Sequence, residues 1–317
     1  MLVFLCTIAV LEGGSVKGRT IRLYLVDGTP TGILTAEIIN WTGKLYVAPR
    51  SQLADLAKRE EVRRTGVYFL VGPDPDRPSR DRVYIGEGDS VLKRLIDHDK
   101  DPTKDFWTRT AVVISKDENL TKSHGRYLES RLLEKAKVAN RASLSNGTNP
   151  PTPPLPEPDV ADMEFFLGQV QMILPALGFG FLQAKPSEEP TSKAEESPRF
   201  LMATSGAKAT AIEAGGEFVV LQGSTARKEG VPSWDTYRTL RDQLVADGKL
   251  VDAKKPDYFE FAEDVSFSSP SAASSVVAAR NTNGRESWAI EGTRTTYAKW
   301  HEEKIASAAS QTDEPED

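Results

Sequence analysis

The sequence predicts an α+β protein whose best-defined part is a small β-β-α-β-α unit with a central antiparallel sheet. Two observations carry this prediction. Runs rich in β-branched and aromatic residues, Gly66 to Gly72 and Arg82 to Gly86, stand close together and predict a hairpin. Two later segments place apolar residues at helical spacing, with a strand-like run between them. We expect a β-rich segment before this unit and a further α+β domain after it.

The composition excludes several classes of protein. The chain has 317 residues, of which 39% are hydrophobic and 27% charged, as is ordinary for globular proteins. A single cysteine, Cys6, excludes an internal disulfide framework, and three histidines exclude a histidine-rich metal site. The apolar run from Leu2 to Leu11 has no basic flank and is too short to span a bilayer. We therefore expect a buried strand there, a cytoplasmic protein and no membrane partner.

Short elements are predicted over residues 1–61, the N-terminal β-rich segment. The alternating run from Thr20 to Val26 predicts a strand that ends at a turn. Gly32 to Ile39 is interpreted either as its partner strand or as a short helix. Gln52 to Arg64 predicts a helix capped by Ser51, because its apolar residues share one face.

The central unit, residues 62–150, continues from the hairpin strands. Pro73 to Asp81 is interpreted as a surface loop because it is rich in Pro and Asp. Three elements follow: a helix capped by Asp89 or Ser90 and ending near His98, a strand from Thr110 to Ser115, and a helix from Thr121 to Ala139.

The remaining chain is predicted to alternate between linkers and structure. Residues 151–199 are interpreted as a proline-rich linker, an apolar helix from Ala161 to Leu177 broken near Pro175, and an acidic tether. Residues 200–300 predict an accessory α+β domain with a hairpin turn at Gly215-Gly216. Residues 301–317 are predicted to be an acidic, disordered tail.

Charge is unevenly distributed along the chain. The net charge is −6, yet residues 62–150 carry 17 basic and 13 acidic side chains, an excess of +4. Such an excess permits phosphate binding without requiring it.

Six polar or titratable residues of the central unit form a recurring pattern. Tyr68 and Tyr84 lie on the two hairpin strands, and Arg94 and His98 lie one turn apart on one helical face. Glu129 stands at the edge of an apolar helical stripe. Asn146 follows that helix. Singly, each has an ordinary structural explanation, as a half-buried strand residue, an exposed helix residue or a loop residue.

Together these residues resemble the GIY-YIG nuclease family over residues 66–149. The first triplet reads Gly66-Val67-Tyr68, with valine in place of isoleucine, and the second reads Tyr84-Ile85-Gly86 without departure. The resemblance implies a divalent-metal-dependent endonuclease that hydrolyses phosphodiester bonds in DNA.

The resemblance also implies roles for the individual residues. Glu129 would bind Mg²⁺ or Mn²⁺ through a hard oxygen ligand, and Arg94 would contact phosphate oxygens. Tyr68 would act as the base with His98 accepting its proton, and Tyr84 would orient water. The two tyrosine roles are open to exchange, because an unperturbed tyrosine is a poor base at neutral pH. Asn146 would support the site by hydrogen bonding.

Further residues are candidate nucleic-acid contacts. Trp107 is interpreted either as a core residue or as a residue that stacks on a base. The basic candidates are Lys93, Lys122, His124 and Arg126.

The C-terminal part resembles an uncharacterised domain often found behind GIY-YIG nucleases. The resemblance covers about residues 235–292 and rests on Val265 to Ala273, Asn283-Gly284 and Trp288. Ser269 and Ser271 are interpreted as helix caps, because no histidine lies within this segment to act as a base. Substrate targeting, a homodimer contact or partner binding would suit such a domain.

Two other functions stay open at this point. One is a catalytically idle nucleic-acid-binding module on the same scaffold, and the other is an interaction protein with an incidental motif. DNA or RNA preference, specificity and oligomeric state are likewise open.

Overall fold

The computed structural model describes residues 18–148, 150–183 and 197–311. The chain divides into two compact units, residues 1–184 and 185–317, and each is mixed α+β, as predicted. The expectations for Leu2 to Leu11, for residues 312–317 and for most of the acidic tether lie outside the described residues.

The described residues of the first unit form a seven-stranded sheet with the order β1-β2-β3-β6-β4-β5-β7. The strands are β1 (Ile21–Leu25), β2 (Leu34–Ile38), β3 (Gly43–Pro49), β4 (Gly66–Asp74), β5 (Arg77–Gly88), β6 (Arg109–Ser115) and β7 (Ser143–Leu144). All neighbours are antiparallel except β5 and β7.

Helices cover both faces of this sheet. They are α1 (Leu53–Leu56), α2 (Val91–Asp99), α3 (Lys122–Ala139) and α4 (Glu157–Ala176). One buried cluster joins α1 and α2 to the face that carries Tyr68, and another joins α3 and α4 to the opposite face. The predicted β-β-α-β-α order is therefore observed as β4-β5-α2-β6-α3.

The N-terminal strands extend the central sheet. β3 pairs with β6 along its whole length, from Gly43 opposite Ser115 to Pro49 opposite Arg109. Gly32 to Ile39, left open between strand and helix, contains β2.

The predicted helix from Gln52 to Arg64 is wrong. Only Leu53–Leu56 is α-helical, and 3-10 turns lie on either side, at Arg50–Gln52 and Glu60–Arg63. Leu56 and Val62 are both fully buried. Leu56 and Val62 are six positions apart, so in a continuous helix their side chains would point in different directions. The helix is interrupted between them, which allows both side chains to be buried.

The predicted surface loop from Pro73 to Asp81 is also wrong over most of its length. β4 continues to Asp74 and β5 begins at Arg77, with a register shift between Pro73 and Asp74. Asp74 is only 2% exposed, and its Oδ1 accepts a hydrogen bond of 2.7 Å from Nη2 of Arg82. This pair holds the far end of the hairpin together.

α4 forms part of the first unit's core, where the sequence predicts a helix within a linker. Phe166, Leu167, Val170 and Leu174 are buried against the sheet and α3. The helix begins at Glu157 and contains Pro175 in its last turn. The break predicted near Pro175 is thus the helix end, because a proline there interrupts only the final turn.

The second unit contains a five-stranded sheet, β14-β10-β9-β8-β15, and a three-stranded sheet, β11-β13-β12. Its strands are β8 (Phe200–Thr204), β9 (Ala207–Ala214), β10 (Glu217–Val220), β11 (Thr225–Arg227), β12 (Leu250–Asp252), β13 (Tyr258–Phe261), β14 (Val265–Phe267) and β15 (Ala289–Ile290). Its helices are α5 (Arg238–Ala246), α6 (Pro270–Ala278), α7 (Gly284–Ser287) and α8 (Tyr297–Gln311). The predicted hairpin at Gly215-Gly216 joins β9 to β10.

Two sequence expectations for this unit have direct outcomes. Ser269 caps α6, as predicted, because its Oγ accepts a hydrogen bond from the backbone N–H of Ala272 at 3.1 Å. The disordered tail is wrong over residues 301–311, because α8 continues to Gln311. Tyr297 and Trp300 anchor its first turns in the apolar core.

None of the helices in the described ranges is both long enough and apolar enough to cross a membrane.

Candidate active site

The register of the β4–β5 hairpin brings the two predicted tyrosines onto one face of the sheet. Tyr68 lies opposite Gly86, and Tyr84 lies opposite Leu70. Because side chains alternate along a strand, Tyr68 and Tyr84 both face α2. Their ring centroids are 6.2 Å apart.

Gly86 makes room for the Tyr68 hydroxyl. A Cβ atom at this position would lie 2.4 Å from Oη of Tyr68 and 2.9 Å from Cε1 of Tyr84. Both distances are shorter than a van der Waals contact. The glycine of the second triplet therefore follows from the tyrosine opposite it.

His98 approaches both tyrosines from α2. Its Nε2 is 2.7 Å from Oη of Tyr68, and its ring meets the Tyr84 ring edge-on at a centroid distance of 4.8 Å. α2 presents His98 to the sheet because Leu92 and Leu95 are buried on the same side.

The electrostatic surroundings keep this pair neutral. Burial raises the pKa of Tyr68 far above its usual range, and the neighbouring Tyr84 adds to the rise. Burial lowers the pKa of His98, and the charges of Arg94 and Lys104 lower it further. At neutral pH both groups are therefore uncharged, and the tautomer of His98 determines which of them donates this hydrogen bond.

Arg94 lies one helical turn before His98 and is exposed. Its stem packs on Gly88, where a Cβ atom would lie 2.7 Å from Cγ of Arg94. Electrostatic interaction with Tyr68 raises the pKa of Arg94 most, and burial opposes that rise. The guanidinium is therefore a permanent cation beside the tyrosines, open to an anion from solvent.

Glu129 reaches the same region from α3, on the opposite face of the sheet. β7 pairs with β5 only at Arg82 and Val83, which leaves the edge of β5 open to α3 farther along. Burial raises the pKa of Glu129 to about 7, and the charge of Glu87 raises it as well. Arg94 and the backbone N–H of Glu87 act in the opposite direction.

Glu87 is a site residue that sequence reasoning missed. It follows Gly86 on β5, and its side chain is 18% exposed. Within the described part of the chain its Oε2 is buried and has no hydrogen-bond partner, and Oε1 lies 3.9 Å from Nε of Arg126. The sequence held one indication of this role. Glu87 directly follows the second triplet, and because side chains alternate along a strand it points to the face opposite Tyr84.

The two carboxylates fit a hard divalent cation. Glu129 and the unpartnered Oε2 of Glu87 supply oxygen donors of the kind that Mg²⁺ and Mn²⁺ prefer. The described residues contain no group of three or more His, Cys, Asp or Glu side chains arranged to hold a metal. A bound Mg²⁺ would thus keep several waters, as it usually does.

Asn146 pairs with the backbone of Ile85, the residue that follows Tyr84 on β5. Its Oδ1 accepts from the Ile85 N–H at 3.0 Å, and its Nδ2 donates to the Ile85 carbonyl at 2.7 Å. The side chain continues the β5–β7 pairing by one step. It therefore fixes the edge of β5 next to Tyr84.

Trp107 and His124 were both candidate nucleic-acid contacts. In the structure Trp107 is a core residue, and His124 caps a helix. Trp107 is 1% exposed and buried in the core under Arg50, whose Cζ is 4.9 Å from the ring centroid, so it cannot stack on a base. His124 caps α3, since its Nδ1 accepts from the backbone N–H of Thr121 at 3.3 Å. Its Nε2 faces Asp159 of α4 at 3.5 Å.

The other basic candidates are exposed. Lys93 lies on α2 and Arg126 on α3. Lys122 pairs with Asp89 at 2.7 Å. An anion would have to compete with that carboxylate for the Lys122 ammonium.

Comparison with known proteins gives a match for one region of the chain. No curated protein and no solved structure matches the chain. No GIY-YIG family model is matched either, so that resemblance rests on the residues described above. Residues 200–301 match a family model described as Domain of unknown function (DUF4357), in agreement with the uncharacterised C-terminal domain expected from the sequence.

Proposed function

We propose that the first unit is a divalent-metal-dependent endonuclease that hydrolyses phosphodiester bonds in DNA. The observation that carries this proposal is the hydrogen bond of 2.7 Å between Tyr68 and His98, with Arg94 one helical turn away on the same helix. A buried proton donor–acceptor pair next to an exposed guanidinium suits attack of water on a phosphate.

The residues divide the work between proton transfer and charge neutralisation. Neutral His98 is ready to accept the Tyr68 proton, and half-buried Tyr84 is the tyrosine that solvent reaches, which suits it to orient water. Arg94 would neutralise the phosphate oxygens. Glu129, supported by Glu87, would hold Mg²⁺ or Mn²⁺, which when bound polarises the phosphate and acidifies water.

A second candidate function is nucleic-acid binding without catalysis. The complete burial of Tyr68 favours it, because a base must reach the attacking water. The second unit would set substrate choice, or bind a second copy of the chain or a partner protein.

Cleavage of supercoiled plasmid in Mg²⁺ separates these functions. We expect nicking by the wild type, and its loss in Glu129→Ala and in EDTA. Glu134→Ala is the matched control, because Glu134 is an exposed carboxylate on the same helix. Nicking that survives Glu129→Ala would contradict the proposed site. Salt-sensitive DNA binding without any nicking would support the binding function instead.

A further inference from the structure

Lys104 lies against the Tyr84 ring, although sequence reasoning did not single it out. It ends the 3-10 turn Pro102–Lys104 that follows α2. Its Nζ is 4.1 Å from the Tyr84 ring centroid, well within the range of a cation–π contact. Tyr84 therefore has both His98 and Lys104 as direct neighbours.

The Lys104 ammonium has few polar partners. It lies 3.4 Å from the carbonyl and from Oγ of Ser145, at the long limit for hydrogen bonds. In the described residues no carboxylate lies within ion-pair distance of it, whereas Lys122 holds Asp89 at 2.7 Å. Its side chain is half-buried, and this burial lowers its pKa. A partly desolvated cation with these contacts is arranged to receive an anion.

We propose that Lys104 binds a backbone phosphate of the substrate beside Tyr84, as a second phosphate contact in addition to Arg94. The inference rests on the proposed nuclease function and deepens it by assigning a second phosphate-binding residue to the same site. Two cations on separate segments suit two successive phosphates of a strand. The substrate is then an extended polynucleotide rather than an isolated phosphodiester.

The test measures DNA binding rather than cleavage. Fluorescein-labelled duplex DNA is titrated with full-length Glu129→Gln protein at several salt concentrations, alone and combined with Lys104→Met, Lys104→Arg or Lys100→Met. Lys100 is the matched control, an exposed lysine at the end of α2. We expect Lys104→Met to weaken binding about fivefold to tenfold and to reduce the slope of log K against log salt by about 0.9. Lys104→Arg should retain most of the affinity and most of the salt slope. Lys100→Met should change the affinity less than twofold.

The outcomes distinguish this inference from the function on which it rests. An unchanged affinity and slope in Lys104→Met, with salt-sensitive binding intact, would overturn the role of Lys104 alone. Absence of salt-sensitive DNA binding in the parent protein would overturn the proposed function too. Thermal melting checks that each variant is folded, and rescue by arginine in a folded protein excludes a purely structural effect of the methionine.

Cleavage of a small substrate supplies a second readout. We expect Lys104→Met, in a protein with Glu129 intact, to lower plasmid nicking at least fivefold more than hydrolysis of bis(4-nitrophenyl) phosphate, which carries one phosphate. Equal losses on both substrates would contradict contact with a second phosphate.

Discussion

The hydroxyl of Tyr68 and Nε2 of His98 form a buried hydrogen bond between β4 and α2, at 2.7 Å. The bond joins two segments 30 residues apart in the chain. Replacing Tyr68 by phenylalanine removes the one tyrosine oxygen atom that makes this bond, so the substitution tests its role in the proposed proton transfer.

Tyr68→Phe should separate chemistry from stability. The substitution preserves the ring in the core, so we expect a loss of stability of about 1 kcal/mol. Plasmid nicking should fall about 100-fold or more, the lower range for a lost proton-transfer group. Tyr127→Phe is the control, because Tyr127 is also buried and donates a 2.8 Å hydrogen bond to Glu164 on α4. Equal nicking by both variants would contradict the role of Tyr68.

Gly86→Ala should disrupt the same hydrogen bond from the opposite strand. The added methyl group would lie 2.4 Å from the Tyr68 hydroxyl, so the ring has to move away from His98. We expect a destabilisation of about 1–3 kcal/mol in urea unfolding, together with loss of nicking. Gly147→Ala should leave both unchanged, since nothing lies within 4 Å of a Cβ at that position. A stable, active Gly86→Ala protein would show that the pocket can relax.

The two carboxylates should make stability depend on pH. The pKa of Glu129 is raised in the folded protein to about 7, from an ordinary value of 4.5. A raised carboxyl pKa lowers stability as pH rises from about 4.5 to 7, because the folded state holds the proton more tightly. We expect Glu87→Gln to stabilise the fold above pH 7, by an amount on the order of 1 kcal/mol after solvent screening.

Thermal melting between pH 4 and 8.5, without divalent cations, measures this effect. The gain in Glu87→Gln should shrink as pH falls from about 7 to 5, because Glu129 becomes protonated over this range and no longer repels Glu87. A gain that is independent of pH would point to packing rather than charge.

Phe166→Ala should reveal that α4 belongs to the core of the first unit. Phe166 is 4% exposed and meets Trp41 at a ring centroid distance of 5.0 Å. We expect a loss of about 3–5 kcal/mol. Its neighbour Phe165 is 58% exposed, so Phe165→Ala should cost less than about 1 kcal/mol. Similar small losses in both variants would mean that α4 is dispensable.

Local patterns predicted much of the central unit correctly. Strand alternation was sufficient to predict the hairpin. α3 begins directly after Thr121, because the Thr121 side chain caps it. Tyr68 and Tyr84 share a face because of strand parity alone. The Asp74–Arg82 pair also depends on hairpin register. The prolines and aspartates of this segment are typical of a loop, so the sequence did not predict the pair.

Features that depend on contacts distant in the sequence could not be predicted in this way. Glu87 meets Glu129 only because α3 packs against an open stretch of β5. Lys104 faces Tyr84 only because the turn after α2 folds back over that ring. α4 is apolar on nearly all sides, so its sequence has no stripe to distinguish a core helix from a linker helix.

The strand order places the N-terminal strands and the proposed site on different sides of the sheet's centre. β1, β2 and β3 are added beyond β6, whereas Tyr84 and Glu87 lie on β5, at the other side of β4. Strands can therefore be gained or lost at the β6 side without altering the spacing of the tyrosines. Among the described residues, this side of the sheet ends at β1, whose Leu23 and Tyr24 are more than half exposed. Strands added on the β1 side of the sheet are therefore separated from Tyr84 and Glu87 by at least β6 and β4.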